Sequence, residues 1–460
     1  MCGVVGGFGP NVQAGVDALV HRGPDAQSLV TVGKVSLGHT RLAIIDLDPR
    51  SNQPFVRGDL TMVFNGEIWN YKQAREELME LGHEFSTESD TEVLAAAIQE
   101  WDDEAFLRLQ GMFAVGWTWD GEILNLARDR FGEVPLHVAR QKPFYFASEK
   151  KALLAMGCHP KSIDDVLPGC ILKVSSTGMI NEKWYEPPCD PADATMIEAA
   201  PEVYRLIGDG STERTMSDVP VCTLLSGGID SAAVAYWLKR TIPDIVAYTA
   251  VFDDKSSDLR TARKTAEHLD IELREVPVKM PEAYQLGEVV GCIEMDSKAQ
   301  VEIGWACMAL ADVMKADGFK VTFSGEGSDE LWASYSFAYH ALQKRNWHYY
   351  RRDLFLSQAR KNFVRCNKIF MSRSIECRLP FLNTGLVEYA LSLRRDAVQA
   401  DGGRKPKEVM RMAFEDVLDE SVLNRPKVAF QDGLGLKKAI EESLPSPVRF
   451  YRTEYVNQFG

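Results

Sequence analysis

Three short stretches of the chain hold residue types able to do chemistry. At the front, Cys2 stands between Met1 and Gly3. If Met1 is removed, one residue carries both a thiol nucleophile and a free α-amine. That amine, with a reference pKa of about 7.7–8.0, is the base that the thiol, at about 8.5, lacks. No histidine partner is then required, and with Met1 retained the amine base is lost. Far downstream, Leu224-Leu225-Ser226-Gly227-Gly228-Ile229-Asp230-Ser231 follows an apolar strand pattern and leads into an apolar helix pattern. Glycines between a strand and a helix N-terminus expose backbone N–H groups to an anion, and the Ser226 and Ser231 hydroxyls add donors, so the segment reads as a phosphate cradle. It is not the loop that ends in Gly-Lys-Ser/Thr. Ser324-Gly325-Glu326-Gly327-Ser328-Asp329-Glu330 again follows an apolar strand pattern. Two such loops at strand ends face one crevice, where Asp329 shares ligands with Asp230.

The elements that must position these residues follow from periodicity. A helix is expected from Tyr71 to Leu81, with Ala74, Leu78 and Leu81 on one stripe and Gly82 at its stop. Another is expected after Ser89, whose Ser-x-x-Glu spacing to Glu92 fits a capping box and places Asp90 at the helix start. Around Glu186-Pro187-Pro188-Cys189-Asp190-Pro191 the composition changes to that of a linker. The expected domains are therefore 1–185 and 201–460, joined by 186–200. In the second, candidate strands Val221 to Leu225, Ile245 to Val251, Leu273 to Val276 and Lys320 to Phe323 alternate with helices near Ser231 to Leu238, Leu259 to Leu269 and Glu302 to Met314. That alternation implies a doubly wound parallel sheet.

Bulk properties narrow the classes. A chain of 460 residues exceeds one compact core. No apolar run approaches the roughly 20 residues of a membrane span, so no membrane partner is expected. A formal charge of −14 argues against nucleic acid as the main partner. Nine scattered cysteines without a C-x-x-C pair, and no signal-peptide layout behind Met1, fit a reduced, cytoplasmic protein.

Cys2-Gly3-Val4, His21-Arg22-Gly23-Pro24-Asp25, Arg41 to Asp46, Asn65-Gly66-Glu67-Ile68-Trp69-Asn70 and Ser89-Asp90-Thr91-Glu92 come in an order and spacing that resemble the glutaminase domain of N-terminal-nucleophile amidotransferases. The Ser226 to Ser231 loop resembles the pyrophosphate loop of enzymes that cleave ATP between the α and β phosphates. Together the two halves resemble the asparagine synthetase (glutamine-hydrolysing) family. The resemblance implies an N-terminal αββα sandwich followed by an ATP pyrophosphatase domain, α/β with α+β overall. It implies glutamine, ATP and aspartate as substrates, ATP and Mg²⁺ as cofactors, and a homodimer.

Carried residue by residue, the resemblance makes Cys2 the nucleophile, with Asn65 and the Gly66 N–H as oxyanion donors. Arg41 and Asp90 would take the α-carboxylate and α-ammonium of glutamine, and Glu67 would orient it. Taken alone, Arg41 reads as a surface ion pair, Asp90 as a helix cap and Asn65-Gly66 as a turn. In the second half the resemblance assigns Leu225, Ser226, Gly227, Gly228, Asp230, Ser231, Val251, Asp258, Ser324, Gly325 and Glu326 to ATP and pyrophosphate. Asp230 and Asp329 would hold the metal, Lys407 would neutralise phosphate charge, and Glu294 would accept a proton from attacking ammonia. Arg425-Pro426-Lys427 with Phe430 and Gly433 falls where the resemblance implies another basic strip, and Lys405, Lys407 and Lys427, each taken alone, read equally as solvated lysines. One departure concerns the acceptor. An arginine of the family's asparagine-forming members falls on Glu302 here, with Lys298 as a compensating cation. The acceptor is thus aspartate or another carboxylic acid, and a non-catalytic glutamine- and nucleotide-binding relative is the remaining alternative.

Overall fold

Strand Gly3–Gly7, five buried residues placed directly after Cys2, sits between Tyr145–Ala147 and Val35–Arg41 in a six-stranded antiparallel sheet. The computed structural model describes residues 1–342, 344–399, 406–426 and 430–460. A second six-stranded antiparallel sheet places Leu60–Ile68 between Phe55–Arg57 and Gly111–Thr118. The sheets face each other, with Gly3–Gly7 against Leu60–Ile68. Helices Val12–Ala18 and Lys150–Ala155 cover the first sheet, and Asp90–Trp101 covers the second, with Tyr71–Glu80 packed on it. This is the αββα sandwich. All nine residues of Leu60–Ile68 are buried. Asn65 and Glu67, two apart, share one face, and Asn65 meets Cys2 there. The Asn65-Gly66 pair is therefore the middle of a strand, registered against Ala114 and Phe113, and not a turn.

In the second half, parallel strands run in the order Glu272–Pro277, Val246–Val251, Cys222–Leu224. Val321–Phe323 pairs in parallel with Glu376–Arg378, and a parallel bridge from Val221 to Val321 joins the two sets. Numbered along the chain, the strand order is thus 3-2-1-4-5, which reverses direction between Cys222–Leu224 and Val321–Phe323. At such a switch point the loops leaving adjacent strands diverge and open a crevice. Both glycine-serine-acid loops leave from these two strands.

Helices Ile229–Thr241, Ser257–His268 and Lys298–Ala316 fall where periodicity places them, with bounds shifted by a few residues. Two elements differ. Helix Met196–Glu213 begins inside the stretch read as linker, because Thr195 and Glu198 form a reciprocal capping box that outweighs Pro201 in its second turn. The box expected at Ser89 is only half made. Ser89 Oγ accepts from the Thr91 N–H, but the Glu92 carboxylate turns back to Ser86 and Thr87.

Candidate active site

The first centre forms where the two halves meet. The Cys2 N–H donates to Asn65 Oδ1 at 2.7 Å, and the Cys2 carbonyl accepts from Arg22 Nε at 2.8 Å. Asn65 Nδ2 lies 3.4 Å from Ser148 Oγ, which also takes the Val4 N–H at 2.9 Å. Burial pushes the Cys2 thiol up, while the neighbouring amino-terminal ammonium pulls it back. With Met1 in place that ammonium belongs to Met1, is buried, and pairs with Glu376. A Cβ at Gly66 would lie 2.0 Å from the Met112 carbonyl oxygen. Glycine is therefore required here for one strand to pass against the next.

Beside Cys2 lie three buried carboxylates, Glu67, Asp90 and Glu376. Glu67 Oε1 is 3.9 Å from Arg378 Nη2, its Oε2 has no hydrogen-bond partner, and burial together with Glu376 and Asp90 holds it well above the usual carboxylate range. Asp90 Oδ2 accepts from the Ile68 N–H at 3.0 Å. Burial, opposed by that bond and reinforced by Glu376, pushes Asp90 up to about 6. An anionic pocket of this kind suits an α-ammonium group. Asp90 is charged only above that pH, so kcat/KM for an ammonium-bearing amide should fall about tenfold per unit below pH 6. A profile flat down to pH 5 would contradict this, as would Asp90→Asn leaving the profile unchanged.

Arg41 reaches this centre, but its terminal nitrogens already serve the following loop. Nη1 donates to Asp48 O at 2.9 Å and Asn52 Oδ1 at 2.7 Å, and Nη2 donates to the Asp46 and Ile45 carbonyls. A bidentate grip on a carboxylate requires two of these bonds to be given up. Glu376 and Arg378, by contrast, belong to the second half of the chain.

The second centre is the crevice at the switch point. Ser226 Oγ and Ser231 Oγ are 3.0 Å apart, the Gly228 N–H donates to Ser226 Oγ at 3.2 Å, and Gly228 starts helix Ile229–Thr241 with no side-chain cap. The first-turn N–H groups are thus left for an anion. A Cβ at Gly325 would lie 2.8 Å from Asp230 Cβ, so the second loop abuts the first. Asp230 Oδ1 accepts from Ser328 Oγ at 2.6 Å. Lys407 Nζ lies 2.5 Å from Asp230 Oδ2 and 2.6 Å from Asp329 Oδ1, so one ammonium bridges both carboxylates. Among the described residues no group of three or more His, Cys, Asp or Glu forms a metal cage. Two carboxylates beside a phosphate cradle nevertheless suit Mg²⁺, which binds through one or two carboxylates and the phosphates themselves. Asp258 pairs with Arg425, and Gly227 and Gly433 both lie against Asp258, which draws the basic strip onto the crevice. Val251 ends the neighbouring strand, Leu225 is buried beneath the loop, and Glu326 pairs with Arg365. Lys405 and Lys427 lie outside the described residues.

Glu294 takes a different place. It ends helix Ala283–Ile293 in a left-handed conformation, and its carboxylate accepts the Lys150 and Lys151 N–H groups at 2.9 and 2.8 Å. It also pairs with Lys368 and is 1% exposed. Burial opposes its charge, yet Lys368 and Lys151 hold it below the usual carboxylate range. This geometry caps helix Lys150–Ala155 of the first half, so a role as proton acceptor requires Glu294 to give up one of these bonds. Glu294→Ala would leave Lys368 buried without its partner and should cost about 3–5 kcal/mol. Urea unfolding checks this. Unchanged stability with lost ligase turnover would favour the catalytic role.

Glu302 is held inside the helix packing. Its carboxylate is 1% exposed and pairs at 2.9 Å with Lys298, which also reaches Glu441 at 2.8 Å on helix Leu436–Ser443. The charge reversal found in sequence is thus neutralised within the helix packing.

Fold and centres define a class of protein: an amidotransferase half with a buried N-terminal thiol, joined to a half built around a phosphate crevice. Residues 1–185 match the family model described as glutamine amidotransferase domain, and residues 202–363 and 348–449 match that described as asparagine synthase. The chain belongs to the asparagine synthetase (glutamine-hydrolysing) family. It is 31% identical over 472 residues to asparagine synthetase (glutamine-hydrolyzing) 3 of Arabidopsis thaliana, covering 95% of this chain and 79% of that one. It is 29% identical over 436 residues to asparagine synthetase B (glutamine-hydrolyzing) of Escherichia coli strain K12, covering 90% and 77%. A solved structure of glutamine phosphoribosylpyrophosphate amidotransferase from B. subtilis, complexed with ADP and GMP, has a TM-score of 0.37 at 20% identity, covering 55% of this chain and 67% of that one.

Proposed function

We propose that this protein is a glutamine-dependent asparagine synthetase. The observation that carries the proposal is the joining of both centres through one strand. Glu376 and Arg378 face the Cys2 pocket, while the Arg378 carbonyl accepts the Ser324 N–H of the phosphate loop at 3.0 Å. In the first centre the Cys2 thiol, with Met1 removed and the Cys2 amine as base, attacks the glutamine side-chain amide and releases ammonia. Water then cleaves the γ-glutamyl thioester to glutamate. Asn65 and the Gly66 N–H steady the oxyanion, and Asp90 and Glu67 hold the α-ammonium. Arg41 meets the α-carboxylate once its loop bonds loosen.

In the second centre the β-carboxylate of aspartate attacks the α-phosphate of ATP, with pyrophosphate leaving. Ammonia then displaces AMP from the acyl-adenylate. Ser226, Gly227, Gly228 and Ser231, with Ser324, Gly325 and Glu326, cradle the phosphates, and Leu225, Val251 and Asp258 border the nucleotide. Asp230 and Asp329 would hold Mg²⁺, which supplies charge neutralisation at the phosphates. Lys407 adds a fixed positive charge between them. The pairing of Glu302 with Lys298 supports aspartate as the acceptor. The test is pyrophosphate release from Mg-ATP with glutamine, comparing aspartate with other carboxylic acids and following asparagine by mass. Aspartate-dependent pyrophosphate with asparagine formed is the expected result. Glutamine hydrolysis with aspartate inert would overturn the assignment of the acceptor.

A further inference from the structure

Every acidic side chain described so far in the phosphate crevice has a cationic partner: Asp230 and Asp329 have Lys407, Glu326 has Arg365, and Asp258 has Arg425. Among the described residues Glu330 has none. It follows Asp329 on the short helix Ser328–Leu331 and is fully buried, yet its Oε1 accepts from neutral donors, Tyr335 Oη at 2.5 Å and Asn362 Nδ2 at 2.9 Å. Its other oxygen, Oε2, has no hydrogen-bond partner among the described residues. Gln300 stands in the first turn of helix Lys298–Ala316 and donates Nε2 to Asn362 Oδ1 at 2.8 Å, so its amide is oriented. Its Oε1 is again a buried acceptor without a donor among the described residues.

A buried carboxylate without a counter-ion is costly, and so is each unmet buried acceptor. Two such acceptors linked through one asparagine, one residue along from Asp329, call for a ligand rich in N–H donors and positively charged. A primary ammonium has three donors and one charge.

We propose that Glu330, Gln300 and Asn362 form the subsite for the α-ammonium of the acceptor amino acid. The proposal rests on the synthetase activity proposed above. It gives these residues a positioning role: they fix one end of the acceptor so that its side-chain carboxylate meets the α-phosphate. It also gives the site a reason to reject a diacid that lacks the amine.

The test uses the full chain with Mg-ATP and ammonium chloride as nitrogen source, comparing aspartate with succinate, its desamino counterpart. Glu330→Gln keeps the shape and an oxygen for Tyr335, and Gln300→Leu is the second variant should the first fail to fold. Glutaminase rate and thermal melting report folding. Each variant should raise KM for aspartate by about 10- to 100-fold, leave KM for ATP unchanged and shrink the preference for aspartate over succinate by the same factor. Equal losses on both acids would overturn the proposal, as would an unchanged KM for aspartate. A rise confined to KM for ammonium chloride would also overturn it, since the subsite would then serve the incoming nucleophile. If the wild-type protein makes no asparagine, the activity proposed above fails separately. The subsite is then judged on pyrophosphate release across amino acids paired with their desamino forms. A preference for the amine that Glu330→Gln removes supports it, and no preference sinks it.

Discussion

Cys2→Ala should lower glutamate release from glutamine by about 10⁴-fold, the scale on which removal of a covalent nucleophile acts. Asparagine formation from ammonium salts should survive in the same variant. The separation follows from where Cys2 sits. Its contacts are to Asn65, Arg22 and Leu42, all in the first half of the chain, and none reaches the phosphate loops. Alanine loses the sulfur but keeps the backbone bonds to Asn65 and Arg22, so the pocket wall stays in place. Comparing glutamate release with ammonium-driven pyrophosphate release on one preparation checks both halves. Glutamate release persisting at more than a trace would rule out the thiol as nucleophile. Loss of both activities would mean that Cys2 also supports the second centre.

Lys407→Met should remove most pyrophosphate release, about 10³-fold, while glutamine hydrolysis continues. The lysine is 2% exposed and bridges two carboxylates. Methionine keeps the length of the stem but removes the ammonium that bridges Asp230 and Asp329. Incoming phosphates would then meet more negative charge. Lys407→Arg should not rescue the rate, because a planar fork cannot occupy the single point between two carboxylates that an ammonium fills. Pyrophosphate release from Lys407→Met within a few-fold of wild type would show that the ion pair serves the fold alone.

The phosphate crevice was largely legible in the sequence, because its donors and acids are contiguous in two loops and the strands before them are short apolar runs. Cys2, Asn65 and Asp90 stand out as a set only through the resemblance of their segments to the glutaminase domain. What escaped notice depends on contacts between distant residues. Glu376 and Arg378 complete the Cys2 pocket from more than 300 residues away, and nothing in their neighbours signals it. Glu294 reads as a proton acceptor in sequence, but its partners Lys150, Lys151 and Lys368 belong to other elements. Arg41 reads as a bidentate cation for a carboxylate, and its bonds to the 45–52 loop are invisible in the sequence. The capping signals show how weak a local pattern can be. Thr195-x-x-Glu198 forms a true box although prolines surround it, whereas the Glu92 of Ser89-x-x-Glu92 finds four better donors behind it.

The register of Val321–Phe323 on Glu376–Arg378 carries one further implication. A single strand has a side chain in one pocket and a carbonyl on the loop of the other, which gives the two binding equilibria a physical route for coupling, and two ligands on one protein always form a closed thermodynamic square. Whatever factor bound nucleotide imposes on the affinity for glutamine, bound glutamine must impose on the affinity for nucleotide. Titrating either ligand in the presence of the other measures the same coupling free energy twice.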